Sequence, residues 1–423
     1  MINRREFLGM TAGAGALALT PELLHAFQQS EGTLIQRAIP STGEKVPVIG
    51  LSFSNHTSCA NPAALKDALK VLVDSGGRVF DAMHGSAEAE QVHANLANEL
   101  GVQNKIFWST RGIPGGPLQP GGASVKPHID TWLTRIKASR LDLVMVPPQD
   151  ATWLAALKEQ KKAGRVRYIG VQVIVDSRFP EVESVMRNEP IDFIGVNFDV
   201  SSRRAEETIL PLAQERKIGV MAFFPFNNNG GVSCGGSTSN LFARVGNRPL
   251  PEWAAEFDAK TWAQFFLKYV ISHPAITVAR VGTTKPAHML DNIGGGIGRL
   301  PNEATRRRMA EFIDGLPPVT IAAAPPPQSA HGPAGVIVLP PAILDRYVGE
   351  YKTDGGEILN FRRYGTMLVG KVGPNPDRVI YGRTETRFQF GPNFIEFQID
   401  SNGKATSLIY EQGNRKVSAI RIR

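Results

Sequence analysis

Two stretches of this chain carry residue types that can do chemistry. In the first, Thr277-Val278-Ala279-Arg280-Val281-Gly282 reads as a β-branched strand ending at a glycine. Thr283 and Thr284 follow, then Lys285, and Pro286 opens a helix that continues through His288, Asp291 and Asn292. Free backbone N–H groups at such a helix start, with a lysine beside them, suit a phosphate. The second stretch lies far upstream. Val79-Phe80-Asp81 reads as a strand ending in a carboxylate, followed by Ala82-Met83-His84-Gly85-Ser86. A carboxylate beside a histidine is acid–base equipment. The competing reading of His84 is a loop histidine without chemistry.

Composition narrows the classes. The chain has 423 residues, a formal net charge of +8 and two cysteines, Cys59 and Cys234. The length accommodates one large domain and one small one. No basic stripe interleaved with aromatics is present, so a nucleic-acid partner is not expected. Arg306-Arg307-Arg308 reads as the solvated face of a helix. There is no CxxC, no HExxH and no ligand-spaced cluster, so neither a metal nor a disulfide framework is expected. Nothing in the sequence brings Cys59 and Cys234 together, and His56, His93 and His128 read as lining or packing residues.

The pattern along the chain predicts four parts. Residues 1–30 resemble a twin-arginine export signal: Asn3-Arg4-Arg5-Glu6-Phe7-Leu8, then an apolar run from Gly9 to Leu19 too short to span a bilayer. Residues 33–316 alternate short β-rich runs with helical patterns. The strands are predicted at Val46–Phe53, Arg78–Ala82, Lys105–Thr110, Leu141–Val146, Arg167–Val173, Asp192–Phe198, Gly219–Phe224 and Thr277–Val281. Eight strands each followed by a helix predict an α/β fold, a (β/α)8 barrel. Asn61-Pro62 and Thr261…Gln264 read as helix starts. A hairpin over Thr33–Lys45 is expected to close the barrel's bottom, and the Gly-rich loops Gly112–Gly122 and Asn227–Gly246 are candidate substrate walls. Residues 317–341 form a Pro/Gly/Ala-rich linker. Residues 342–423 predict a small antiparallel β domain, a sheet or partial barrel, available for a protein or ligand contact.

Taken in order, several stretches resemble the aldo-keto reductase family over residues 33–316. They are Ile39-Pro40-Ser41-Thr42-Gly43-Glu44, Gly76-Gly77-Arg78-Val79-Phe80-Asp81, Gly85-Ser86-Ala87-Glu88, Gly164-Arg165-Val166-Arg167-Tyr168-Ile169-Gly170-Val171 and Val281-Gly282-Thr283-Thr284-Lys285-Pro286. The segment Leu344-Asp345-Arg346-Tyr347-Val348-Gly349-Glu350-Tyr351 resembles a β module found after serine β-lactamase-like domains. The family resemblance implies a TIM barrel that binds NADP(H) and turns over a small-molecule substrate. It also implies an Asp, Tyr, Lys and His centre. Asp81 matches the Asp; His84 stands near the Tyr position, Arg111 at the Lys and Pro147 at the His. Phe223 is the implied nicotinamide-stacking aromatic. Gln172 and Asn197 are the implied carboxamide holders, with Gly195 where the family has glutamine. Gly282, Thr283, Thr284, Lys285 and His288 would hold the adenosine phosphate, with the adenine near Asp291 and Asn292.

Arginine cannot deprotonate, and its charge disfavours an imidazolium nearby. The expected centre is therefore His84 as a neutral base, Asp81 orienting it and Arg111 as fixed cation. That arrangement suits oxidation of an alcohol such as a sugar or polyol. The alternative is a non-catalytic barrel that keeps nucleotide or ligand binding.

Overall fold

The computed structural model describes residues 32–53, 60–82, 87–111, 125–148, 151–174, 176–227, 240–317, 337, 339–364, 367–372, 378–390, 393–401, 403–412 and 415–422. His84, His56, Cys59, Cys234, the export segment, most of the linker, all of the loop Gly112–Gly122 and residues 228–239 of the second Gly-rich loop lie outside them, and that second stretch ends in a helix, Asn240–Val245.

Strands β1 (Gln36–Ala38) and β2 (Lys45–Pro47) pair as an antiparallel hairpin. Gly43 takes the left-handed φ of +79° that its turn requires. Ile39 and Val46 from this hairpin pack with Val79, Phe107, Tyr168 and Phe193, near the starts of the barrel strands, and so floor the ring. Around that floor Glu44 accepts hydrogen bonds from Arg78 (2.8 Å), Tyr168 (2.8 Å) and Arg167. Sequence predicts one strand over Val46–Phe53, but the chain divides it. Val48 donates to Ile35 of the floor and accepts from Ala279 of the wall, so one run serves two sheets.

The wall is a closed ring of parallel strands: β3 (Ile49–Ser52), β4 (Val79–Asp81), β5 (Phe107–Arg111), β6 (Leu141–Val146), β7 (Val166–Gln172), β8 (Phe193–Asn197), β9 (Gly219–Phe223) and β10 (Ile276–Gly282), closed by pairing of β10 with β3. This is the predicted (β/α)8 architecture. Helices cover it outside. Asn61 caps the first, its Oδ1 accepting from Ala63 N–H at 2.9 Å, with Pro62 at the first helical position. Thr261 accepts from Gln264 N–H at 3.2 Å, while the Gln264 carbonyl reaches Lys260 N–H, one residue before the position a capping box would use. Arg306 corrects a sequence expectation: it is buried, stacked on Tyr269 and paired with Glu206, and its neighbours Arg307 and Arg308 are the exposed ones.

The C-terminal domain is a second closed ring, antiparallel throughout: β11 (Gly349–Thr353), β12 (Ile358–Tyr364), β13 (Met367–Val372), β14 (Arg378–Gly382), β15 (Arg387–Phe390), β16 (Asn393–Ile399), β17 (Ala405–Gln412) and β18 (Arg415–Arg421). Each strand pairs with its sequence neighbours and β18 returns to β11. Tyr347, Tyr351, Phe361, Phe388 and Phe397 fill its interior with ring–ring contacts of 4.7–5.6 Å.

Candidate active site

Side chains alternate along each barrel strand, so the inner positions form layers. The lower layers are apolar: Val79, Phe107, Leu143, Tyr168, Phe193, Met221 and Val278. Two residues further along β4, β5 and β10, the same inner face carries Asp81, Ser109 and Arg280, all buried. The barrel thus changes from apolar to charged near the C-terminal ends of its strands, where barrel enzymes place their chemistry.

Asp81 is fully buried. Ser109 donates to its Oδ1 at 3.1 Å, and Arg280 Nη1 lies 3.4 Å from its Oδ2. Arg280 comes from β10, and β3 lies between β10 and β4 in the ring. The residue of β3 level with Arg280 is Gly50. A Cβ there would sit 3.0–3.2 Å from Val79 and Val278, so glycine lets the inner faces of β4 and β10 approach. The Arg280 guanidinium stacks 4.8 Å from the Phe223 ring and 5.5 Å from the Phe224 ring. Phe223 in turn leans over Gly195, where a Cβ would meet its Cζ at 2.3 Å. The missing glutamine at position 195 and the packed ring of Phe223 therefore belong together.

Phe224 takes φ +51° immediately before Pro225. A bulky residue is rare in that region, and a following proline disfavours helical conformations further. The turn is held by Asn227 N–H donating to Phe224 C=O at 2.8 Å. Asn227 is fixed by Asp199, Ser201 and Ser202, and burial pushes Asp199 above its ordinary value against those hydrogen bonds.

Gln172 ends β7 and Asn197 ends β8. Asn197 donates to Ile174 C=O, but Asn197 Oδ1 and Gln172 Oε1 are buried with no hydrogen-bond partner among the described residues. Unsatisfied buried acceptors cost about 1–3 kcal/mol each, and a ligand N–H would relieve that cost. At the end of β10, Gly282 is exposed and Thr283 buried, and Thr283 Oγ1 accepts from Lys285 N–H at 3.2 Å. Lys285 precedes the helix Pro286–Gly295, whose start has no side-chain cap. Thr284 is half-buried, and Lys285 and His288 are exposed. Desolvation and the Lys285 ammonium both push His288 below its ordinary value. Asp291 accepts from Thr261 Oγ1 (2.9 Å) and Gln264 Nε2 (2.8 Å), tying this helix to its neighbour, and Asn292 is buried beside it.

These features fit a nicotinamide dinucleotide: open helix N–H groups and Lys285 for a phosphate, and two orphaned acceptors for an amide. The arrangement brings Asp81 to Arg280, and Arg280 to Phe223. It places Arg111 as the last residue of β5, paired in register with Met145. Sequence reasoning missed Arg280, Ser109 and Phe224. A signal for Arg280 was present: a lone charge inside a β-branched run that must be buried on both faces. Among the described residues no group of three His, Cys, Asp or Glu side chains is placed to hold a metal, and no helix is long and apolar enough to cross a membrane.

Comparison with known proteins agrees with the barrel fold. The Aldo/keto reductase family pattern matches residues 48–307, and the chain belongs to that family of oxidoreductases. A Glycine max protein described as "Probable aldo-keto reductase 1" is 22% identical over 243 residues, which is 52% of this chain and 67% of that protein. Among solved structures, an aldo-keto reductase from Klebsiella pneumoniae in complex with NADPH superposes with a TM-score of 0.50 at 19% identity, over 70% of this chain and 97% of that one. The holo form of an aldo-keto reductase from Bacillus halodurans gives 0.51 at 17% identity, over 66% and 96%.

Proposed function

We propose that this chain is an exported, NADP(H)-dependent oxidoreductase that oxidises a small alcohol, a sugar or polyol, with a reaction centre rebuilt around a buried ion pair. The observation that carries the reading is Asp81 paired with Arg280 at the strand ends that also hold the orphaned Gln172 and Asn197 acceptors. When bound, the nicotinamide supplies hydride exchange. The chain's own residues do the rest. Thr283, Thr284, Lys285 and His288 would hold the adenosine phosphate, beside Gly282, with Asp291 and Asn292 towards the adenine. Gln172 and Asn197 would accept from the nicotinamide carboxamide, and Phe223 would border its ring. His84 takes the hydroxyl proton. A carboxylate has about four acceptor sites, so Asp81 can orient His84 while holding Ser109 and Arg280. Arg111 and Arg280 stay cationic at any working pH and stabilise negative charge developing on the substrate oxygen.

Titrating NADPH and NADH against the intrinsic tryptophan fluorescence tests the cofactor; tighter NADH, or no binding of either, rejects it. Turnover across alcohols and carbonyls tests the chemistry, and His84→Ala is expected to cost on the order of a hundredfold. Full activity in that variant removes His84 from the mechanism. Export is tested by replacing Arg4 and Arg5 with lysine, which should retain the protein in the cytoplasm.

One observation favours a second reading, a non-catalytic ligand-binding barrel. Arg280 covers a face of Phe223, and Asp81 is already engaged. Nucleotide binding without turnover of any substrate would establish it.

A further inference from the structure

We infer that Asp199 is a positioning residue for the nicotinamide end of the cofactor site: through Asn227 it fastens together the ends of β8 and β9, which carry Asn197 and Phe223. This rests on the oxidoreductase reading above and adds to it a residue that acts through others.

Asn197 ends β8, Phe223 ends β9, and the two are partners in the register of those strands. The ladder runs one step further, where Phe198 N–H donates to Phe223 C=O at 3.2 Å. Beyond it each chain leaves its strand as a loop. Asp199 and Asn227 close that gap. Asp199 is 2% exposed, two residues past Asn197. Its Oδ1 accepts from Ser201 N–H (2.7 Å), Ser201 Oγ (2.7 Å) and Ser202 N–H (3.0 Å), which folds the loop after β8 back on itself. Its Oδ2 accepts from Asn227 Nδ2 at 3.2 Å, four residues past Phe223. Asn227 N–H in turn donates to Phe224 C=O at 2.8 Å. One carboxylate therefore holds the two loops that begin at the implied carboxamide holder and the implied stacking ring.

Two further observations set this tie apart from an ordinary loop contact. The turn it holds is strained. Phe224 and Asn227 both take left-handed φ, +51° and +53°. Asparagine tolerates that region, but phenylalanine before proline does so at a cost and persists there only where its surroundings hold it. The hold is on Asn227: its Nδ2 also lies 2.8 and 3.0 Å from the Oγ atoms of Ser201 and Ser202, and its Oδ1 accepts from Asn240 Nδ2 at 3.0 Å. The strain has a visible result, since the Phe223 ring lies over Gly195 and both phenylalanine rings meet the Arg280 guanidinium. The second observation is the choice of a carboxylate. Burial pushes Asp199 above its ordinary value, and the donors that hold its charge are two serines and an asparagine. Hydrogen bonds to an ionised acceptor are about twice as strong as neutral ones, which is what the turn gains from it. With about four acceptor sites taken by four donors, the carboxylate is not open to a substrate proton. Its part is to position.

The test compares two probes on the full chain. One is NADPH, followed by the fluorescence of its nicotinamide. The other is adenosine 2',5'-bisphosphate, which has the adenosine phosphate of NADP and no nicotinamide. Asp199→Asn keeps the shape and an oxygen for Ser201 and Ser202, but turns an amide N–H towards Asn227 Nδ2 and so sets donor against donor. It should weaken NADPH about tenfold, because fewer molecules hold the ring in place. The bisphosphate should stay within about twofold, which also reports a folded barrel. The reciprocal double variant Asp199→Asn/Asn227→Asp reverses donor and acceptor across the same gap and leaves an oxygen for Asn240. It should bring NADPH back to within about threefold of the parent chain. Unchanged NADPH affinity in the single variant, equal weakening of both probes, or a double variant no better than the single one overturns the inference and leaves the oxidoreductase reading standing. A parent chain that binds neither probe overturns both.

Discussion

The two barrels of this chain have the same strand count and the same closure of first strand on last, yet their interiors differ. In the antiparallel barrel the interior is aromatic, and among the described residues its buried side-chain polar atoms have partners. Tyr347 donates to Glu385 C=O at 2.7 Å and Tyr351 to Tyr347 C=O at 3.1 Å. In the parallel barrel the interior ends in a buried ion pair and two orphaned acceptors. Unsatisfied acceptors beside a fixed charge are groups that a ligand would satisfy. The contrast sets the candidate site of the first ring apart from the interior of the second.

Acid should separate the rings most strongly. Burial first, aided by nearby arginines at the latter two, holds His93, His128 and His273 down to about 4. The unfolded chain binds protons at these groups near pH 6.5, so between about 6.5 and 4 it binds more than the native state. Stability therefore falls as pH drops through that window, by up to about 3 kcal/mol per histidine. The antiparallel ring contains no histidine, and all five tryptophans lie in the parallel ring. Tryptophan fluorescence should thus report a falling urea midpoint from pH 6.5 to 4 while tyrosine near-UV circular dichroism of the second ring moves little. Parallel loss in both signals would break the contrast.

Arg280→Met comes next. It leaves Asp81 buried without this cation and should cost about 3–5 kcal/mol, whereas the neutral double variant Asp81→Asn/Arg280→Gln should cost clearly less. Urea unfolding of the two variants decides; equal losses would mean that the charge pair is not what the barrel centre depends on.

The smallest effect compares glycines. In the parallel ring, a Cβ at Gly170 would lie 2.1 Å from the Phe193 carbonyl oxygen, a backbone atom that cannot turn aside. In the antiparallel ring, a Cβ at Gly370 would lie 2.8 Å from Cε1 of Phe361. Gly170→Ala should cost about 1–3 kcal/mol and Gly370→Ala less. A reversed order would show the second interior to be the less yielding one.

The architecture was legible because it rests on local signals: β-branched runs, helix caps such as Asn61-Pro62, and one parallel strand per repeat. In residues 342–423 the β-rich runs at Met367–Lys371, Arg378–Tyr381, Arg387–Phe390, Phe394–Ile399 and Ser407–Tyr410 carry the same signal and are legible as strands. Those at Gly349, Ile358 and Arg415 were not, because Lys352, Arg362, Arg363 and Lys416 interrupt their apolar pattern on the solvent face. The split at Val48 was hidden because Val46–Phe53 looks continuous and only the positions of Ile35 and Ala279 divide it. The candidate phosphate loop is read from consecutive residues. The Asp81–Arg280 pair is not, since it joins the second and last strands of the barrel across a glycine. Side-chain identity at one position depends there on absence at another, and periodicity does not record that.

Closure of each ring by its ends has a consequence for how the protein is made. Until Ile276 has left the ribosome, β3 has no β10 to pair with, and a nascent chain carries an open parallel edge from Ser52 onward. The second ring repeats the situation, with β11 open until Arg415–Arg421 is complete. An open edge is a template for other chains. Truncated products ending inside either ring should therefore be stickier than the finished molecule, and a stop at Arg415, which removes β18, should expose β11 and β17 together.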